Sequence, residues 1–123
     1  MDKPKFLPPC LRAKERYIVF DVLSENSIYY NDLVKAIWFS CLSWLGELKT
    51  SECELWIIRN LYNPKTQHGV IKCRHDMIEF MRVALALIKK IGNSNAIIKV
   101  LGVTGTIRSA KREYLGFTDL KEF

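Results

Sequence analysis

Glu54-Leu55-Trp56-Ile57-Ile58-Arg59-Asn60-Leu61-Tyr62, then Asn63-Pro64-Lys65-Thr66, then Gly69-Val70-Ile71-Lys72-Cys73-Arg74, is the stretch on which the fold turns. The first segment is rich in the β-branched and aromatic residues that suit a pleated, half-buried surface. The Asn-Pro cluster is turn chemistry. The last segment returns to strand formers, so residues 54–62 and 69–74 read as a β-hairpin.

On each side of this hairpin the pattern is a helix and then a strand. Upstream, Ile18, Phe20 and Val22 alternate with Tyr17, Val19 and Asp21, which predicts a strand over 17–23 with one buried face. Leu33, Ile37, Cys41, Trp44 and Leu48 then recur at helical spacing, widened by Val34, Trp38 and Leu45. Asn31 is placed to cap this helix, Asp32 suits its first turn, and Gly46 weakens its last. Downstream, Asp76 followed by Glu79 resembles a capping box. The helix it opens turns Met77, Met81, Ala84, Ile88 and Ile91 inward, with Lys89, Lys90 and Gly92 as a C-terminal stop. Asn95 to Val103 is a fourth strand, Gly102 to Gly105 a turn, and Thr106 a cap for a short helix to about Leu115. Two split β-α-β halves joined by a hairpin predict an α+β, ferredoxin-like βαββαβ sandwich. Its four-stranded antiparallel sheet would carry two helices on one face, with the short C-terminal helix in addition.

The chain has 123 residues, enough for one domain with a core that needs no metal or disulfide staple. Residues 1–16 are polar, proline-bearing and basic and read as an extended arm, 17–115 as the folded domain, and 116–123 as a tail. The four cysteines, Cys10, Cys41, Cys53 and Cys73, form no C-x-x-C pair. The N-terminus has no apolar signal core, and no apolar run is long enough to span a bilayer. A reducing cytoplasm with free, mostly buried thiols is the economical expectation.

The formal net charge is +6, which points to an anionic partner, nucleic acid being the commonest. If Ile18, Phe20, Ile71, Cys73, Ile98 and Val100 face the helices, the opposite sheet face shows Tyr17, Val19, Lys72, Arg74 and Lys99. Such a face suits phosphates, and it equally suits plain solvation. It lacks the aromatic pair of an RNA-recognition motif, so phosphate contact is expected there rather than base stacking. The segment Gly102-Val103-Thr104-Gly105-Thr106-Ile107 leads into a helix bearing Arg108, Lys111 and Arg112. Backbone amides of Gly105 and Thr106 and these side chains could together hold a phosphate, or the segment is a capped turn and nothing more. Cys73, His75 and His68 are zinc-type ligands, but a fourth ligand and regular spacing are missing. No carboxylate pair marks a general acid and base.

Several of these stretches, taken in order, resemble ribonuclease P protein component 2, the small subunit of archaeal and eukaryotic ribonuclease P. They are Leu11-Arg12-Ala13-Lys14-Glu15-Arg16-Tyr17-Ile18, Ala36-Ile37-Trp38 with Leu45-Gly46-Glu47-Leu48, Gly69-Val70-Ile71-Lys72-Cys73, Arg82-Val83-Ala84-Leu85, and Gly102 to Ile107 with its basic tail. Two positions depart from the family pattern: Thr104 stands where Ser is typical, and Lys72 where Arg is common. The resemblance implies a non-catalytic subunit that binds and stabilises the catalytic domain of ribonuclease P RNA. That RNA removes the 5′ leader from precursor tRNA and uses Mg2+ itself, so no cofactor is expected on the protein. The implied protein partner is the TIM-barrel component 3, in a heterotetramer with two copies of each subunit. RNA contacts are expected from Arg12, Lys14, Arg16, Lys72, Arg74, Lys99, Gly105, Thr106, Arg108, Lys111 and Arg112. Another RNA-binding ferredoxin-like subunit, or a ligand-sensing or protein-interaction domain on the same fold, would present similar elements.

Overall fold

Strand β1 (Glu15–Ser24) is hydrogen-bonded along both edges, and Ile18, Val19 and Phe20 within it are fully buried. A computed structural model describes residues 14–113. The elements in order are β1, α1 (Tyr30–Cys53), β2 (Trp56–Ile57), β3 (His68–Arg74), α2 (Ile78–Ala86), β4 (Lys90–Ile91), β5 (Ser94–Thr104) and α3 (Ile107–Glu113). The five strands form an antiparallel sheet in the order β2-β3-β1-β5-β4. Among the described residues this is an α+β architecture with three α-helices, and the sheet has one strand more than the four expected.

The main core lies between the sheet and the layer of α1 and α2. Ile18, Phe20, Val22, Ile71, Cys73 and Ile98 meet Leu33, Ile37, Cys41, Met81 and Leu85 there, and Val100 packs at its margin. The predicted parity of β1, β3 and β5 therefore holds. A smaller cluster of Val19, Val70 and Ala110 lies on the other sheet face, beneath α3. Between Val19 and Phe20 the pairing with β5 shifts from Gly102 to Val100, which leaves Leu101 as an extra bulged residue. Phe20 sits opposite Gly69 on β3. A Cβ at residue 69 would stand 2.6 Å from the Phe20 ring, so only glycine leaves room for it.

Several local expectations are corrected. Helix α1 begins at Tyr30 with Tyr29 as N-cap and no side-chain cap, so Asn31 does not play that role. It runs past Leu48 to Cys53 because Gly46, at φ 80° and ψ 172°, breaks the axis and a second helical piece resumes behind it. Asp76 does not close a capping box; its carboxylate accepts from the Arg74 guanidinium, and α2 starts after a 3-10 turn at His75–Met77. Helix α2 stops at Ala86 rather than Ile91. Lys90 and Ile91 pair instead with Asn95 and Ser94 across a turn in which Gly92 adopts φ 61°, the conformation a tight hairpin turn demands. Ile88 and Ile91 still reach the core, so the apolar spacing that suggested a helix is met by a hairpin. The first hairpin strand is only Trp56–Ile57. After it the chain leaves the sheet through a 3-10 turn at Arg59–Leu61, and Ile58 and Leu61 pack against the second cluster.

Cys41, Cys53 and Cys73 are free and buried. Burial pushes the Cys41 and Cys73 thiols up to about 12, each helped by a neighbouring cysteine, and raises Cys53 as well. Such thiols hold their protons in the fold and lose them near 9.0 when the chain unfolds. Their contribution to stability is therefore complete below about pH 9 and drains away as pH rises towards 12. Iodoacetamide at pH 8 is expected to leave these three cysteines unmodified in the native protein and to alkylate them in denaturant. Rapid native labelling of Cys41 or Cys73 would contradict the burial.

Candidate nucleic-acid interface

Alternation along β1 turns Glu15, Tyr17, Val19 and Asp21 away from α1 and α2, onto the face that carries α3. The register then builds rows across that face. Trp56 lies opposite Lys72, Lys72 opposite Tyr17, and Tyr17 opposite Thr104. Four residues along, Asp21 lies opposite both His68 and Lys99, and the His68 imidazole is 4.0 Å from the Asp21 carboxylate.

Helix α3 is seated on these rows by Ala110, which is fully buried against Val19 and Val70. Its start is built as predicted: the Ser109 N–H donates to the Thr106 hydroxyl at 3.1 Å, the N-cap bond. The Thr104 hydroxyl donates to the Thr106 carbonyl at 2.9 Å and is largely buried, so it braces the turn from within. Gly102 belongs to β5, and the turn proper is Gly105–Thr106, both exposed. With Ala110 inward, Arg108 and Arg112 are exposed and Lys111 is half-buried. Three cations thus stand on one short helix, against one acid, Glu113.

The remaining predicted contacts are distributed less evenly. Lys72 and Arg74 share the α3 face, but each has an acidic partner: Lys72 lies 3.5 Å from Glu15, and Arg74 is bidentate on Asp76 at 2.6 and 3.1 Å. Lys99 is exposed on the same face in the row of Asp21. Lys14 is exposed at the foot of β1, its carbonyl accepting from His75 N–H. Arg16 differs, because it pairs with Cys73 and so points to the α1 and α2 side, donating to the Glu15 carbonyl at 2.9 Å. Arg12 lies outside the described residues. Cys73 is fully buried on the core side while His75 is exposed, so the two do not converge. Among the described residues no group of three or more His, Cys, Asp or Glu could hold a metal ion. No helix among them is long and apolar enough to cross a membrane.

Sequence reasoning missed Trp56 as a member of this face. It is 64% exposed, and its membership follows only from the register that sets it against Lys72. The opposite, helical layer is different in kind. Phe39 and Leu87 line a groove of about 440 Å³ between α1 and residues 87–90, with Lys89 and Lys90 on its second wall, and Trp44, also at its edge, leans on Phe80 at 6.1 Å. Trp38, off the main stripe of α1, is part exposed at 36%.

A model of the Rpp14/Pop5 family matches residues 16–115, which is nearly all of the described chain. Ribonuclease P protein component 2 of Pyrococcus furiosus is 44% identical over 114 residues, covering 93% of each chain. The protein of that name from Thermococcus gammatolerans is 41% identical, again over 93% of each. Among solved structures, a chain in the cryo-EM structure of yeast ribonuclease MRP superposes with a TM-score of 0.60 at 10% identity, covering 85% of this chain and 88% of the other. That last likeness speaks for the fold alone. The order of motifs, the α+β sheet and the identity over almost the full length agree, and the chain belongs to the Rpp14/Pop5 family of ribonuclease P protein subunits.

Proposed function

We propose that this chain is a non-catalytic protein subunit of ribonuclease P that binds and stabilises the catalytic domain of the ribonuclease P RNA. The observation that carries the reading is the 44% identity, over 93% of both chains, to a protein named ribonuclease P protein component 2. The basic helix α3, on a sheet face that also carries Lys72, Arg74 and Lys99, supports it. We read the strand order as a ferredoxin-like sheet with β4 added at its edge. In this arrangement α1 and α2 cover one sheet face, and α3 brings cations to the other.

The physical role follows from charge. RNA helices folded around an active site repel one another and gather counterions. Arg108, Lys111 and Arg112, with Lys14 and Lys99, supply countercharge fixed to a folded scaffold. Lys72 and Arg74 carry charge on the same face, partly offset by Glu15 and Asp76. The RNA of the particle performs the cleavage of precursor tRNA with its own Mg2+. The groove between α1 and residues 87–90 is the surface we assign to protein contact, with component 3 and a second copy of this chain in a cytoplasmic particle holding two of each subunit.

The expected consequence is a lower magnesium requirement. Precursor tRNA cleavage by ribonuclease P RNA is measured across a magnesium series, with and without this chain and component 3. The midpoint is expected to fall when the proteins are present. Superimposable curves would reject the role.

A further inference from the structure

We propose that Trp56 is a stacking platform for an unpaired base of the bound RNA, an inference that rests on the RNA-binding reading above. Trp56 occupies a two-residue edge strand and is 64% exposed, whereas its neighbour Ile57 turns into the core. Its register against Lys72 sends the indole to the α3 side of the sheet. Across that face follow Lys72, Tyr17 and Thr104, and Thr104 leads directly into the Gly105–Thr106 turn and the basic helix. Adjacent strands are about 4.8 Å apart, so Trp56 lies about 14 Å from Thr104 across the sheet. That span falls inside the footprint of about 4–16 nucleotides typical of single-strand-binding folds.

Charge decides the kind of partner. Helices α1 and α2 together carry four acidic and three basic side chains, while α3 carries one acidic and three basic. The exposed apolar side chains Phe39, Leu42 and Leu48 belong to α1, in that near-neutral pair of helices. Trp56 is set instead beside Lys72 on the side of the cationic helix. An exposed indole on the sheet face that carries the cationic helix suits a polyanion whose bases have free π-faces, and every base can stack on it. Leu23 and Ile97, also exposed on this face, lie about 20 Å further along β1 from the Tyr17 row.

The test compares Trp56→Ala and Trp56→Phe in the full chain. The probes are ribonuclease P RNA, a single-stranded oligoadenylate of about eight nucleotides and a duplex of the same length. Trp56→Ala is expected to weaken binding of the RNA and the oligoadenylate about tenfold with an unchanged salt slope, and Trp56→Phe to restore most of the loss. In a Trp38→Phe, Trp44→Phe background, the oligoadenylate is expected to quench Trp56 emission and the duplex to leave it unchanged. Wild-type affinity in Trp56→Ala, a Phe variant as weak as Ala, or quenching by the duplex overturns the stacking role. The RNA-binding reading survives those results as long as the unaltered chain still shifts ribonuclease P RNA; if it does not, both fall.

Discussion

Replacing Arg108, Lys111 and Arg112 together with Ala is expected to lower the affinity for ribonuclease P RNA and to flatten its salt dependence by about 3 in the log–log slope. Each phosphate contact of a cationic side chain contributes about one unit, through release of a condensed counterion. The wild-type and variant curves should therefore diverge at low salt and converge at high salt. The fold is expected to persist, because Ala is the best helix former, Ala110 still anchors α3, and the Thr106 cap is untouched. An unchanged slope with a retained circular dichroism spectrum would reject α3 as the phosphate-contacting element. Lys72→Ala and Arg74→Ala each remove one cation rather than three, and each should therefore change the slope by less.

Phe20→Ala is expected to cost about 3–5 kcal/mol of folding stability. That is a large share of the roughly 5–15 kcal/mol that holds a typical domain together. Phe20 is fully buried in the central strand, and its ring lies over Gly69, so its loss opens a cavity lined by strands on both sides. The converse change tests the same contact. In Gly69→Ala a methyl group would enter at 2.6 Å from the ring, and overpacking of this kind costs about 1–3 kcal/mol. Urea titration is the measurement: both variants should lower the midpoint at constant slope, Phe20→Ala by more. A Gly69→Ala protein as stable as the parent would show that the ring has room to move. Neither residue faces α3, so RNA binding by whatever fraction remains folded should keep the parental salt slope.

Much of this architecture is readable in the residues because burial enforces period two in strands that have partners on both sides. Ile18, Phe20 and Val22 had one place to go, and Ile71, Cys73 and Ile98 followed by pairing. The Thr106 cap was equally plain, since a hydroxyl before a helix has one economical use. The strands at the sheet edges were less legible. β2 and β4 are two residues long, too short to show a period, and their register is set by the partner strand. For that reason Ile88 and Ile91 read as helix, and Trp56 was not placed on the α3 face. The interface shows the same division. The cations of α3 are visible as a run, but the pairing of Lys72 with Glu15 and of Arg74 with Asp76 depends on strand register and a turn. The inward side of Arg16 is a matter of phase, because β1 begins at Glu15, two residues before the predicted strand start.

The central claim is that the purified chain grips the ribozyme electrostatically and leaves the chemistry to it. An electrophoretic shift of ribonuclease P RNA at about 50 and about 200 mM salt tests this most directly. The account predicts a complex at the lower salt that weakens sharply at the higher, with the RNA left intact. A chain that shifts nothing at either concentration, or one that cuts precursor tRNA without the RNA, contradicts it.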